Sequence, residues 1–261
     1  MTILATEHLS IAFGGVHAVD DVSLAVAPGA VFSIIGPNGA GKTTLFNIIS
    51  GLYLAQQGRV RLAGEDVSSL APEELARRGL ARTFQNLQIF FRMTALENVM
   101  VGRHRHERTG IFADLLHLPA VGRQNRMTRD AAMAALERVG LAAAQQTAGS
   151  LSFGGLKRLE MARALASEPK VLLLDEPAAG CNPVETAEID AIIRRLTRDG
   201  ITVVLVEHDM RLVMNVSDRV HVLANGRTLA EGTAAEVRAN PAVIEAYLGV
   251  RGARESTRVV G

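Results

Sequence analysis

Residues 36–44 read GPNGAGKTT, and this stretch restricts the chain to few folds. It matches G-x-x-x-x-G-K-[ST], follows the short apolar run VFSIIG, and opens what reads as a helix. A strand, a glycine-rich loop and a helix in that order bring backbone N–H groups to a helix N-terminus, where an anion is held. Gly36, Gly39 and Gly41 let the loop, with Asn38 and Thr44, wrap closely around phosphates. Lys42 offers a cation to the β- and γ-phosphates, and the Thr43 hydroxyl offers a ligand to Mg²⁺.

The remaining composition narrows the function. The 261 residues are 48% apolar and 21% charged, enough for a sizeable core. A net charge of +1 offers no surface for nucleic acid or an anionic membrane. The single cysteine, Cys181, rules out an intrachain disulfide and fits the cytoplasm. The start, MTILATEHLS, lacks a basic region followed by an apolar core, so no signal peptide is expected. Residues 22–41 carry no charge, about the length of a membrane span. Pro28-Gly29 and Gly36-Pro37-Asn38-Gly39 punctuate them, so two buried strands with turns are expected.

Along the chain, LSIAF and VDDVSLAV read as strands, as does GRVRLAGED with its turn. PEELARR begins with Pro, as a short helix can. TALENVMVG, RDAAMAALERVGL and GLKRLEMARALA read as helices. VLLLDEP and ITVVLVEHD restore strands, separated by the helix PVETAEIDAIIRRLTRDG, and MRLVMNVS follows as a helix. RVHVLANGRTLAEG alternates around Asn-Gly, a strong hairpin signal. Strand–helix alternation in the first and last thirds predicts an α/β fold with a mainly parallel sheet, and the helical middle predicts a second lobe.

Three further stretches bear on chemistry. VLLLDEP delivers Asp175 and Glu176 to a strand's carboxyl end, where open α/β sheets bind ligands. Asp175 is expected to hold Mg²⁺, directly or through water, and Glu176 to orient the attacking water. His208, after ITVVLVE, reads as a cap residue or as a γ-phosphate sensor. Gln85, ending LARTFQ, could reach water and Mg²⁺ while linking the helical lobe to the nucleotide. LSFGG places Ser152, Gly154 and Gly155 at a helix start, an anion site of its own.

The order phosphate loop, Gln85, LSFGG, DEP, EHD resembles the ATP-binding cassette of ABC transporters over nearly the whole chain. The resemblance implies an α/β P-loop NTPase with a mixed or parallel sheet core, an N-terminal antiparallel β region and a helical subdomain. One cassette domain would span 1–249, its RecA-like core about 1–85 and 161–249, its helical subdomain about 86–160, with a loose tail at 250–261. Ser152 to Gly155 would be the signature, Ala178 to Pro183 the D-loop, and Phe13 the aromatic on adenine, although a core role for Phe13 is equally open. Gly155 stands where Gln is common and Cys181 where Leu is common in that family. RTFQNLQIFFRMTALENVMVG, LLLDEPAAGCNP, VEHDMRLVMNVSDRVHVLANGRTLAEG, IEAYLG and the basic segment near 103–127 look like the ATP-binding subunit of branched-chain (hydrophobic) amino-acid importers.

That family pairs the cassette with a second cassette and two membrane permeases, fed by a periplasmic or extracellular binding protein. The resemblance therefore implies ATP and Mg²⁺ as cofactors, ATP hydrolysis by Glu176, His208 and Gln85, and a place on the cytoplasmic face of the inner membrane. Ile89, Phe90 and Phe91 would either seat a permease helix or pack in the core. A cassette for urea, another small solute or a lipid, or a soluble ATPase outside transport, are the alternative readings.

Overall fold

A computed structural model of the chain describes residues 1–83, 87–103 and 119–247, with only the backbone for 119–121. Gln85, most of the basic segment and the 250–261 tail lie outside the described residues. The chain begins with β1 (Leu4–Phe13), β2 (Val16–Val26) and β3 (Val31–Ile35). Helix α1 (Lys42–Ile49) follows, then β4 (Gln57–Leu62), β5 (Glu65–Asp66), α2 (Pro72–Arg77) and β6 (Leu80–Arg82). The helical middle comprises α3 (Ala95–Gly102), α4 (Pro119–Arg138) and α5 (Phe153–Leu165). The last third is β7 (Val171–Asp175), α6 (Pro183–Arg198), β8 (Thr202–Val206), α7 (Met210–Val216), β9 (Arg219–Ala224), β10 (Arg227–Gly232) and α8 (Ala234–Ala239).

The strands form two sheets. An antiparallel sheet has the order β2-β1-β4-β5, and a mixed sheet has the order β10-β9-β3-β8-β7-β6. In the second sheet β6, β7, β8, β3 and β9 run parallel, and β10 closes the edge as the antiparallel arm of the Asn225-Gly226 hairpin. The expected N-terminal β region and mainly parallel core are both present.

The central strands β3, β7 and β8 are buried along their whole length and mostly apolar, because both of their faces are covered. In β7, Leu172 and Leu174 pack with the helical middle and with Ile189, Ile192 and Ile193 of α6. Val171 and Leu173 pack on the opposite face with Phe46 of α1 and with Leu4 and Leu9 of the antiparallel sheet. Alternate residues of one strand thus serve two cores, as the period of two requires. Strand β8 divides the same way, Val203 and Leu205 to one side and Val204 and Val206 to the other.

One loop of the helical middle is fastened by a buried polar residue. Asn98 on α3 is fully buried. Its Nδ2 donates to the carbonyls of Phe90 and Thr94, each at 3.0 Å, and its Oδ1 accepts the Phe90 N–H at 2.9 Å. The loop so held divides the expected apolar trio. Ile89 is buried, whereas Phe90 and Phe91 are about half exposed. Removing the amide strands the Phe90 N–H, at roughly 1–3 kcal/mol, whereas the Phe90 and Thr94 carbonyls keep the N–H groups of Met93 and Asn98. Asn98→Ala is expected to lower unfolding stability by about 1–3 kcal/mol in a urea titration. A loss below about 0.5 kcal/mol, the range of an ordinary surface change, would contradict this role.

Candidate functional site

The phosphate loop lies at the carboxyl edge of the mixed sheet. Asn38, Gly39, Gly41, Lys42, Thr43 and Thr44 line a cavity of about 320 Å³ together with Glu176 and His208. Gly41 has φ +99°, and a Cβ there would lie 2.1 Å from the Ala18 carbonyl oxygen of β2. The loop can therefore turn only because that position has no side chain. Lys42 is 6% exposed, and its Nζ donates to the carbonyls of Gly36 at 2.7 Å and Pro37 at 3.0 Å. Burial holds the Lys42 amine below its ordinary pKa, with the nearby Glu176 charge acting the other way.

The opposite wall comes from β7 and β8. Their parallel register sets Asp175 beside Val206. The next residue, Glu176, adopts φ +49°, a left-handed conformation uncommon for a branched-free acid, and its N–H donates to the Val206 carbonyl at 2.8 Å. Strained backbone of this kind costs about 1–3 kcal/mol and persists where neighbours over-determine it. His208 Nε2 stands 2.9 Å from Glu176 Oε1. The carboxylate and the imidazole thus form one unit facing the phosphate loop.

Asp175 is buried, and its Oδ2 accepts from Arg82 Nη2 at 2.9 Å. Arg82 also reaches Asn47 Oδ1 at 2.7 Å and Ser50 Oγ at 2.6 Å, and it lies over the Phe46 ring at 5.3 Å. Burial raises the Asp175 pKa, and the hydrogen bond and charge of Arg82 oppose that rise. Glu207, also buried, accepts the N–H of Ala178 at 2.8 Å with one oxygen and the N–H groups of His208 and Asp209 with the other. It fastens the His208 turn to the segment after Glu176. Lys157 of α5 donates to the Glu176 carbonyl at 3.4 Å.

The other expected residues are apart from this cavity. Ser152 caps α5, its Oγ accepting the Gly155 N–H at 3.1 Å. The Gly154 N–H donates to Glu185 Oε1 at 3.0 Å. Gly155 is not left-handed, and a Cβ there would meet Leu151 Cβ at 3.3 Å, a tight fit for any side chain. Phe13 is half exposed at the end of β1 and meets the Tyr53 ring edge-on at 5.6 Å. It is no core aromatic. Arg82, Glu207 and Lys157 escaped sequence reasoning. The only signal for Glu207 was an acid at the end of an otherwise apolar strand, and Arg82 sat inside a stretch read for Gln85.

Comparison with known proteins agrees with this geometry. The ABC transporter family matches residues 19–179, and the branched-chain amino acid ATP-binding cassette transporter family matches residues 227–253. The chain is 47% identical to the high-affinity branched-chain amino acid transport ATP-binding protein BraF of Pseudomonas aeruginosa, covering 95% of this chain and 98% of the relative. It is 44% identical to LivG of Escherichia coli over the same shares. Among solved structures, a nucleotide-free ATP-binding cassette from an ABC transporter superposes with TM-score 0.84 at 36% identity, covering 95% of this chain and all of the other. A dimeric cassette in a post-hydrolysis state, bound to ADP and Pi, superposes with TM-score 0.74 at 26% identity over 89% of this chain and 99% of the other.

The buried Arg82–Asp175 pair yields a stability test. Removing one partner of such a pair costs about 3–5 kcal/mol, whereas replacing both with apolar residues is close to neutral. Arg82→Met is expected to show that loss by denaturant unfolding, and the double variant Arg82→Met/Asp175→Leu to recover most of it. A single variant within about 1 kcal/mol of the parent would contradict the pairing.

Proposed function

This chain belongs to the ABC transporter family of ATP-binding cassettes, and from that premise we propose that it is the ATP-hydrolysing subunit of an importer for branched-chain or other hydrophobic amino acids. The observation that carries the ATPase reading is the Glu176–His208 pair, 2.9 Å apart, facing the phosphate loop across one cavity. The cargo reading is supported by the branched-chain amino acid transport for which the relatives are named and by the family match at residues 227–253.

In this reading the loop N–H groups and Lys42 hold the β- and γ-phosphates, and Asn38 and Thr44 close the loop around them. Glu176 takes a proton from, or orients, the attacking water. His208 fixes the Glu176 carboxylate and meets the γ-phosphate. Oxygen donors at Thr43 and Asp175 suit Mg²⁺, a hard cation that keeps waters and substrate phosphates as its remaining ligands. Bound there, with Gln85 as a further ligand, the ion would neutralise charge on the phosphates. Phe13 would stack on adenine. Ser152, Gly154 and Gly155 would complete the ATP site of a second cassette.

Partners follow from the same reading. Among the described residues no helix is long and apolar enough to cross a membrane. The exposed Phe90 and Phe91, beside the loop held by Asn98, are the surface proposed for a permease, and Arg163 lies over the Phe90 ring at 5.7 Å. Two permeases, a binding protein outside the membrane and attachment to the cytoplasmic face of the inner membrane complete the assembly. Nucleic acid has no part in it.

Two outcomes test the proposal. Glu176→Gln is expected to bind ATP normally while steady-state phosphate release falls by about 10²–10⁴-fold, the usual contribution of a general base. Near-parental turnover would contradict the role of Glu176. Phe90→Ala is expected to leave ATP binding intact and to uncouple hydrolysis from uptake in reconstituted vesicles. Uptake per ATP equal to the parent would remove Phe90 from the permease contact.

A further inference from the structure

The N-terminus of α5 already holds an anion, and it belongs to this chain. Glu185 Oε1 accepts the Gly154 N–H at 3.0 Å and lies 3.4 Å from the donating Ser152 hydroxyl. Its Oε2 accepts the Asn182 N–H at 3.1 Å, completing the cap of α6. A Cβ on Gly154 would lie 2.5 Å from the Glu185 carboxyl carbon. The approach of this carboxylate, made within one chain, therefore already requires the glycine. Hydrogen bonds from Asn182, Gly154 and Ser152 hold the Glu185 pKa below the ordinary carboxylate range, so the group stays charged in its place.

These donors are among those that the proposed function assigns to the ATP of a partner cassette. Two anions cannot share them, since like charges a few ångströms apart repel and only one can accept the Gly154 N–H. We propose that Glu185 is a gating residue: it occupies the signature until the partner's ATP displaces it. The inference rests on the reading of Ser152–Gly155 as a signature completed in trans.

The geometry makes the exchange small. One oxygen serves the signature and the other serves the α6 cap, so a turn of the carboxylate frees Gly154 while Asn182 keeps its partner. The exchange also reaches the D-loop. The Phe153 ring stands against Gly180, where a Cβ would lie 2.9 Å from it, so the α5 start and the turn leading to α6 are in contact. A polyanionic phosphate outcompetes a single carboxylate at a helix N-terminus, whereas an empty partner site offers nothing to displace it. The gate thus raises the ATP concentration needed for closure and disfavours closure without nucleotide.

The test uses the transporter complex purified through a tag on this chain, with phosphate release followed against ATP concentration. Glu185→Gln removes the charge and keeps an oxygen for the cap. It is expected to lower KM for ATP about tenfold, with a much smaller change in kcat, since it relieves competition before the chemical step. Glu185→Ala is expected to lower KM as well, and its loss of the cap shows separately as a lower melting temperature. Ser152→Ala is expected to raise KM. An unchanged or raised KM in Glu185→Gln, with Ser152→Ala raising KM, would overturn the gate and leave the signature reading intact. No effect of Ser152→Ala on KM would overturn the signature reading and the gate with it.

Discussion

The parallel register of β7 on β8 is the constraint on which the site depends. It sets Asp175 beside Val206, and the Glu176 N–H closes the pairing on the Val206 carbonyl at 2.8 Å. One further residue on each strand then brings Glu176 and the Glu207–His208 turn to the same edge, opposite the phosphate loop. A shift of one residue would turn every side chain of β7 to the other face. Leu172 and Leu174 would leave the helical core, and Asp175 would lose Arg82. Packing on both faces of the sheet therefore fixes the geometry of the candidate site as firmly as it fixes the fold.

The same edge links chemistry to motion. Glu207 ties the His208 turn to Ala178, the first residue after Glu176-Pro177, and Ala178 begins the segment that ends at the α6 cap. The cap residue Asn182 donates to Glu185, which in turn accepts the Gly154 N–H at the start of α5. In the proposed reading, a change at the γ-phosphate travels through these contacts in one chain to the surface proposed to meet another cassette. Swinging a pair of cassettes from mostly open to mostly closed takes about 5.5 kcal/mol of differential binding. A few charge-assisted hydrogen bonds at roughly 1.5–3 kcal/mol each reach that figure, provided they exist only in the closed state.

Much of this was legible in the sequence. Strands and helices fell where the patterns placed them, because β7 and β8 carry four apolar residues in a row and GPNGAGKTT has a single mechanical reading. Lys42, Glu176 and His208 meet in one cavity as the motif order implied. What the sequence withheld were side-chain partners set by tertiary contact. Nothing in LARTFQ marks Arg82 as the partner of an acid 93 residues away. Nothing in NPVET marks Glu185 as the occupant of the LSFGG cradle, since its spacing fits an ordinary capping box that it also completes. The trio Ile89, Phe90 and Phe91 could not be divided by hydropathy, because its exposure is decided by Asn98 eight residues beyond Phe90.

The central claim is that this chain's ATP site is completed by a second cassette. Specific phosphate release tests it most directly, measured from dilute to concentrated solutions of the full-length chain mixed with an equal amount of the cassette that co-purifies with it. The account predicts activity per chain that rises with concentration and reaches a plateau as pairs form. Activity per chain that stays constant down to the greatest dilution would contradict it.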